Sequence, residues 1–440
     1  MKCAVITPVG RGDELYALDA EDSVKHASAA ARGPFAEVDF ITVDDPLGQL
    51  GPAVARNRGV ELARRAGAEW IFFLDARDVL DIGAFANVAD SLQGYDAIWG
   101  GIHELDDDES RGVLRPGQLL EISRIDEVLA NAPFNTLQIG HFVKTAVALA
   151  ARFEPARGAA AEFDYYLRVW SKYRCVKIAR PFYYERRGDP AATARASTGV
   201  EQRAAVERVI CDKCAELDFR AEFTHRGEIF RFCVVNPFDL IHGSFLKGRF
   251  FELGELSFVE EWVGPDATIV EVGAYVGNHV VYYSRFMRPR TIIVLEPNPE
   301  AIALLRRNLE ANAVMVADLS RLGIGVAAAA GDYDLVCEGG GNRGATRLVQ
   351  AAAGAVKSAP LDELIGSTVD FIKIDVEGME LEVLAGASRV IAASRPKIMI
   401  EVFRPQIPRF NDWLRQHRYD IRRQFDYVHA VNYLIEPADA

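Results

Sequence analysis

Thr268-Ile-Val-Glu-Val-Gly-Ala-Tyr-Val-Gly-Asn278, followed downstream by Ile292-Ile-Val-Leu-Glu296, decides the fold of the second half of this chain. An apolar strand breaks into a glycine turn, a helix follows, and a second apolar strand ends on a carboxylate. That order predicts a nucleotide-type cofactor site at the carboxyl edge of a parallel sheet. Gly273 and Gly277 let backbone approach a ligand closely, with Asn278 opening the helix beside them. Glu296 is placed to accept hydrogen bonds from ribose hydroxyls. The turn reads E-V-G-A-Y-V-G rather than G-x-G-x-x-G, and no P-loop lysine follows. Nothing cradles a pyrophosphate, so a ribose-bearing cofactor without phosphates fits better than NAD. His279 starts the helix facing the same pocket, where a neutral imidazole either accepts a proton or is satisfied by backbone.

A second motif, Val369-Asp-Phe-Ile-Lys-Ile-Asp375-Val-Glu377-Gly-Met-Glu-Leu-Glu-Val-Leu-Ala-Gly-Ala387, reads as a buried strand, an acidic turn and a helix closed by Gly386. Asp375 and Glu377 lie at the mouth of that strand, where an acceptor should arrive, and either takes its proton or steers it. For Glu377 the alternative is a cap on the following helix. Glu401, ending the strand Lys397-Ile-Met-Ile-Glu401, is a further candidate for gripping the acceptor. The strand running into I-D-V-E-G and then L-x-G-A resembles the FkbM family of S-adenosylmethionine-dependent O-methyltransferases, as does the lead-in Asn236-Pro-Phe-Asp to Leu256. Together the matching motifs cover roughly residues 230 to 402, enough for one class-I methyltransferase core with a seven-stranded sheet. The resemblance implies S-adenosyl-L-methionine as cofactor, with Glu271 near its methionine amino group and a hydroxyl as acceptor.

At 440 residues, the usual domain size of ~100–200 residues suggests two or three domains. A hydrophobic content of 50% and a charged content of 26% are those of a soluble globular protein. A net charge of −13 argues against nucleic acid as partner and against adhesion to anionic membrane. No uncharged apolar run reaches the ~20 residues that span a bilayer. The start, Met1-Lys-Cys-Ala-Val-Ile-Thr-Pro8, reads as a first strand rather than a signal peptide. Six scattered cysteines, with Cys211 and Cys214 as two thiols on one helix, fit a reducing cytoplasm.

The first half alternates strands and helices: Cys3-Ala-Val-Ile-Thr-Pro, Val38-Asp-Phe-Ile-Thr-Val-Asp44-Asp45, a helix from Ala53 to Ala66, then Glu69-Trp-Ile-Phe-Phe-Leu-Asp75-Ala-Arg77-Asp78. A parallel α/β sheet with its site at the strand ends is the expected result. The order I-x-x-P, D-D, A-R-N-x-G (Ala55 to Gly59) and F-L-D resembles family-2 glycosyltransferases of the GT-A type. That resemblance implies a sugar-nucleotide donor with Mg or Mn, served by Asp44 or Asp45 and by Asp75, with Asp78 touching the metal. Ala161-Glu162-Phe-Asp164-Tyr-Tyr-Leu-Arg168 resembles the helix start that carries the base, which places Glu162 at the base position. Arg77 departs from the pattern: it stands where the family has an acidic metal ligand. Either its guanidinium neutralises the diphosphate directly, or metal binding is lost.

The organisation predicted is a GT-A-like domain at 1–190, a linker and helix at 191–219 packing on the second half, and a methyltransferase at 220–440. The acidic run from Glu104 is taken as a solvated loop. The expected function is glycosyl transfer onto a glycan or glycolipid followed by O-methylation of that glycan, with peripheral association to a glycan assembly complex. The alternative is a single-activity methyltransferase, on a glycan or a small natural product, whose first half only presents the acceptor.

Overall fold

Cys3, Ala4, Val5 and Ile6 are all fully buried, so the first strand is covered on both faces, as a strand flanked by helices must be. The computed structural model describes residues 1–106, 112–131, 136–186, 196–337 and 346–438, in two units, Met1–Leu217 and Asp218–Ala440. Residues 187–195, with the start of the expected linker, fall outside the described residues, as do 107–109 of the acidic run; Glu104 and Leu105, expected in a solvated loop, instead end a strand, where Glu104 accepts from Arg115.

In the first unit, β1 (Lys2–Gly10), β2 (Glu37–Asp45), β3 (Trp70–Phe73), β4 (Val79–Leu80), β5 (Ala97–Leu105), β6 (Gly112–Leu114), β7 (His141–Lys144) and β8 (Cys175–Glu185) form one sheet. Its order is β2-β1-β3-β7-β5-β8-β4, with β6 on β5. The sheet is mixed, which corrects the parallel sheet expected: β1 pairs parallel with β2 and β3, but β7 runs antiparallel to both β3 and β5. Phe35, Phe72, Phe85, Phe142 and Phe182 fill one side. The helix Gly51–Arg65 lies so close on β1 that a Cβ at Gly59 would meet Ile6 Cγ2 at 2.3 Å, and this seats Arg56 over the sheet. The helix Ala196–Glu216 belongs to this unit and packs on the helix Ala161–Lys172. Sequence periodicity shows an apolar stripe but not which partner covers it.

The second unit opens with a hairpin, β9 (Arg220–His225) and β10 (Glu228–Cys233). Its main sheet holds β11 (Thr268–Val272), β12 (Thr291–Leu295), β13 (Ala317–Asp318), β18 (Phe371–Ile374), β19 (Lys397–Phe403), β20 (Tyr419–Asp426) and β21 (Ala430–Pro437) in the order β13-β12-β11-β18-β19-β21-β20. All neighbours are parallel except β21, which is antiparallel to β19 and β20. This is the seven-stranded methyltransferase-type sheet expected, with its reversal of strand order between β11 and β18. Between β13 and β18 the chain adds a four-stranded sheet, β14 (Ile324–Val326), β15 (Gly331–Cys337), β16 (Thr346–Gln350) and β17 (Val356–Ala359), in the order β14-β17-β15-β16. Two apolar layers cover the main sheet, one around Phe232, Phe250 and Tyr282 and the other around Ile374, Leu384 and Ile400.

Candidate active site

At the carboxyl edge of β11 the turn is forced by backbone geometry. Gly273 has φ +83° and a Cβ there would meet the Asp375 carbonyl oxygen at 1.8 Å; Gly277 has φ +84°. The close approach that Gly273 permits is therefore to the end of β18, which brings the β11 turn and the acidic turn together. Three non-glycine residues along this edge, Glu252 (φ 53°), Tyr275 (φ 44°) and Glu377 (φ 54°), hold the left-handed conformation. Such backbone costs about 1–3 kcal/mol per residue and clusters at functional sites.

Glu296 is buried, and its two oxygens accept from Tyr275 N at 2.7 Å and Asn298 N at 2.9 Å. Burial raises its pKa to about 7 against those two amides. Glu271, wholly buried, has no hydrogen-bond partner at either oxygen among the described residues. Lys373 Nζ and His279 Nδ1 stand off its Oε1 at 3.6 and 3.7 Å, and burial pushes its pKa up. His279 Nε2 meets Glu252 Oε2 at 3.1 Å, and Glu252 Oε1 accepts from Asn432 Nδ2 at 2.8 Å. His279 thus sits between two carboxylates. Asn278 gives its side chain to the backbone of Phe251, accepting at 3.0 Å and donating at 3.1 Å, so it clamps the segment that carries Glu252.

Asp375, Glu377 and Glu401 each bring a carboxylate oxygen to within 4.8 Å of the other two. Lys373 Nζ donates to Asp375 Oδ2 at 3.0 Å. Burial, with the neighbouring acids, raises Glu377 to about 8 and Glu401 to about 10. Glu380, not Glu377, caps the turn: its Oε1 accepts from Gly378 N at 2.7 Å. Gly386 does not close its helix in a left-handed conformation; a Cβ there would meet the Ala327 carbonyl oxygen at 2.2 Å, so glycine is needed for packing.

In the first unit, Arg56 is 3% exposed and joins Asp75 Oδ1 and Glu162 Oε1, each at 2.7 Å. The structure thus unites two acids that lie far apart in the sequence. Asp78 is buried beside Asp75 and Glu185, and burial and those charges raise its pKa well above the ordinary value. Asp45 is engaged by the start of the helix Gly51–Arg65, accepting from Gln49 N, Leu50 N and Gly51 N at 2.8, 2.9 and 3.0 Å, while Asp44 is exposed. Arg77 donates to Asp13 Oδ1 at 2.7 Å and lies over the Tyr16 ring. An open groove of about 780 Å³ lined by Val24, Arg32, Phe40 and Leu62 shares none of these residues.

The decisive comparison falls on the second unit. Residues 271–421 match the methyltransferase FkbM domain. Among solved structures, S. aureus TarS is similar at 18% identity and a TM-score of 0.37, covering 50% of this chain and 40% of that one. The methyltransferase FkbM of Methylobacillus flagellatus KT is similar at 20% identity and a TM-score of 0.29, covering 38% of this chain and 43% of that one. S. aureus TarS 1–349 in complex with UDP is similar at 12% identity and a TM-score of 0.37, covering 81% of this chain and 98% of that one. The chain spans under half the length of the first two. No curated protein matches.

The FkbM domain match includes Glu271, Glu296, Asp375, Glu377 and Glu401, and leaves out Glu252 and Asn432. The last two, with Lys373, are the site residues that the sequence reading missed. Lys373 carried a signal: it is a lone charge in the strand Phe371–Ile374, and is 3% exposed. Glu252 and Asn432 carried none, because only the fold brings them to one edge.

Proposed function

We propose that the second unit is an S-adenosylmethionine-dependent O-methyltransferase acting on a glycan hydroxyl, and that the first unit is a glycosyltransferase that extends the same glycan. The observation that carries the methyltransferase reading is Glu271, a wholly buried carboxylate beside the β11 turn that accepts no hydrogen bond within normal distance among the described residues, with Lys373 and His279 standing off at 3.6 and 3.7 Å. A buried carboxylate so loosely paired keeps accepting capacity on both oxygens, and the cofactor's ammonium is a donor of the fitting sign. When bound, S-adenosylmethionine supplies a methyl carbon made electrophilic by a sulfonium. Glu296 is held rigid by two amides, and each of its oxygens keeps a further lone pair for a ribose hydroxyl. Asp375 and Glu377, at the mouth of β18, receive the acceptor hydroxyl, and one of them takes its proton. Calorimetric titration of S-adenosylmethionine into the full chain, Glu296→Ala and Glu271→Gln tests these roles. Equal affinity in all three proteins removes the reading.

A second reading of the first unit, a non-catalytic module that presents the acceptor, is favoured by two contacts. Glu162, at the base position, is ion-paired to Arg56, and Arg77 is engaged by Asp13. Incubation with manganese and UDP-, GDP- and dTDP-sugars separates the two: turnover of any donor supports transfer, whereas neither turnover nor nucleotide binding supports the module.

A further inference from the structure

Three carboxylates meet at the acceptor side of the second unit, with Lys373 against one of them. Asp375, Glu377 and Glu401 each place an oxygen within 4.8 Å of the others, and Lys373, shared with Glu271 and the Gly273 carbonyl, donates to Asp375 Oδ2. At that separation, mutual repulsion in a half-buried site is relieved either by protonation or by an entering cation. Acidic clusters on solvated surfaces are common, so the surrounding neutral and buried groups decide the matter.

Asn432 lies directly opposite Glu401 in the antiparallel pair β19–β21, on the same face of the sheet. It is 2% exposed, and its Nδ2 is fixed on Glu252 Oε1 at 2.8 Å. That bond turns its Oδ1 away from Glu252, and Oδ1 has no hydrogen-bond partner among the described residues. Glu380 is fully buried; its Oε1 accepts from Gly378 N, and its Oε2 likewise lacks a partner. Gln406 repeats the pattern, with Nε2 donating to the Gly378 carbonyl at 2.8 Å and Oε1 buried and unpartnered. Buried oxygens are almost always satisfied. Among the described residues these three oxygens go without donors, on side chains tied to the acids by the β19–β21 pairing and by the Gly378 turn, and every one of the six groups is a hard oxygen acceptor.

We propose that Asp375, Glu377 and Glu401 bind one divalent, oxygen-liganded cation of the Mg2+ or Mn2+ class, with Asn432 Oδ1 as its neutral protein partner. An all-oxygen set with no imidazole or thiolate among the three suits those ions and disfavours zinc or copper. The site rests on the methyltransferase reading for its purpose: at the mouth of β18, the cation would take a pair of neighbouring acceptor hydroxyl oxygens and lower the pKa of the one to be methylated. The proton of that hydroxyl passes to the carboxylate oxygen of Asp375 or Glu377 that does not face the cation, as the methyl carbon leaves sulfur for oxygen. That narrows the acceptor to a molecule with vicinal hydroxyls, such as an unsubstituted sugar ring.

The test is Mn2+ binding by the full chain, read from loss of the free-ion EPR signal, for wild type, Glu401→Gln and Asn432→Asp. S-adenosylmethionine affinity is measured in parallel on protein stripped with chelator. Wild type is expected to bind one more Mn2+ than Glu401→Gln at equal concentration, with affinity in the variant lowered about tenfold or more. Asn432→Asp, which adds a charge to the proposed partner, is expected to bind Mn2+ more tightly than wild type. Thermal melts of chelated protein show whether each variant is folded; Glu401→Gln relieves repulsion and is expected to melt no lower than wild type. Mn2+ binding unchanged within about twofold in both variants overturns the site. Mn2+ lost in Glu401→Gln while no protein binds S-adenosylmethionine supports the site and removes the methyltransferase reading. S-adenosylmethionine bound with no Mn2+ difference removes the site alone.

Discussion

Glu296 holds its charge at a cost. Burial raises its pKa to about 7, while the Asn298 and Tyr275 amides and Lys373 favour the carboxylate and Asp375 opposes it. In the unfolded chain the same group titrates near 4.5. Between those values the folded state binds the proton that the unfolded chain has lost, so folding stability falls as pH rises through this window and levels off above it. Its contribution is fully present below the unfolded pKa and gone above the folded one. Denaturant unfolding of wild type and Glu296→Gln at pH 5 and pH 8 isolates the effect. Wild type is expected to lose on the order of 3 kcal/mol more than the variant between the two. Parallel losses would show that Glu296 titrates normally and is not the desolvated carboxylate described here.

At the scale of elements, two contacts hold the architecture at its functional edges. Gly386 lets the helix Glu380–Gly386 lie against Ala327, and a Cβ there would come within 2.2 Å of a carbonyl oxygen that cannot rotate away. Gly386→Ala is expected to cost about 1–3 kcal/mol in chemical denaturation, an overpacking cost rather than a lost cap; an unchanged midpoint would show that the helix can shift away from Ala327 at no cost. In the first unit, Arg56 ties the helix Gly51–Arg65 to the end of β3 and to the helix Ala161–Lys172 through two carboxylates. A lysine ammonium cannot fork to both. Because Asp75 and Glu162 are 43% and 36% exposed, water can take over one of them, so Arg56→Lys is expected to cost about 1–2 kcal/mol. A loss below ~0.5 kcal/mol in the same measurement would mean that the fork contributes nothing to stability. The motif A-R-N-x-G was legible in the sequence as a local pattern; that its arginine bridges to Glu162 was not, since the partner lies beyond several intervening strands. The antiparallel β7 was missed for a related reason: His141–Lys144 is four residues long, and strand direction is set by pairing, not by local composition.

For the whole molecule, legibility followed sequence distance. The β11 turn, Glu296 and the acids at 375 and 377 sit in short runs where strand, turn and helix signals coincide, and the fold gathers them at one sheet edge. Glu252 and Asn432 reach that edge from either side of the matched FkbM domain, one on the lead-in and one on the last strand, so no local pattern could join them to His279 and Glu401. The second unit therefore needs both flanks to complete its site, and its boundaries can be tested directly. Residues 218–440 contain the two apolar layers, the seven strands and every residue of the Glu252–His279–Glu271 and Asn432–Glu401 arrangements. Produced alone, they are expected to unfold in one cooperative transition and to bind S-adenosylmethionine within about twofold of the full chain. Saturation at ~100 times the dissociation constant should then add about 2.7 kcal/mol and raise the melting temperature of a unit this size by roughly 5–10 °C. A shorter piece, residues 271–421, lacks Glu252 and Asn432 and should lose both the transition and the binding. If that piece folds and binds as well as 218–440, the flanking residues are dispensable and the site closes without them.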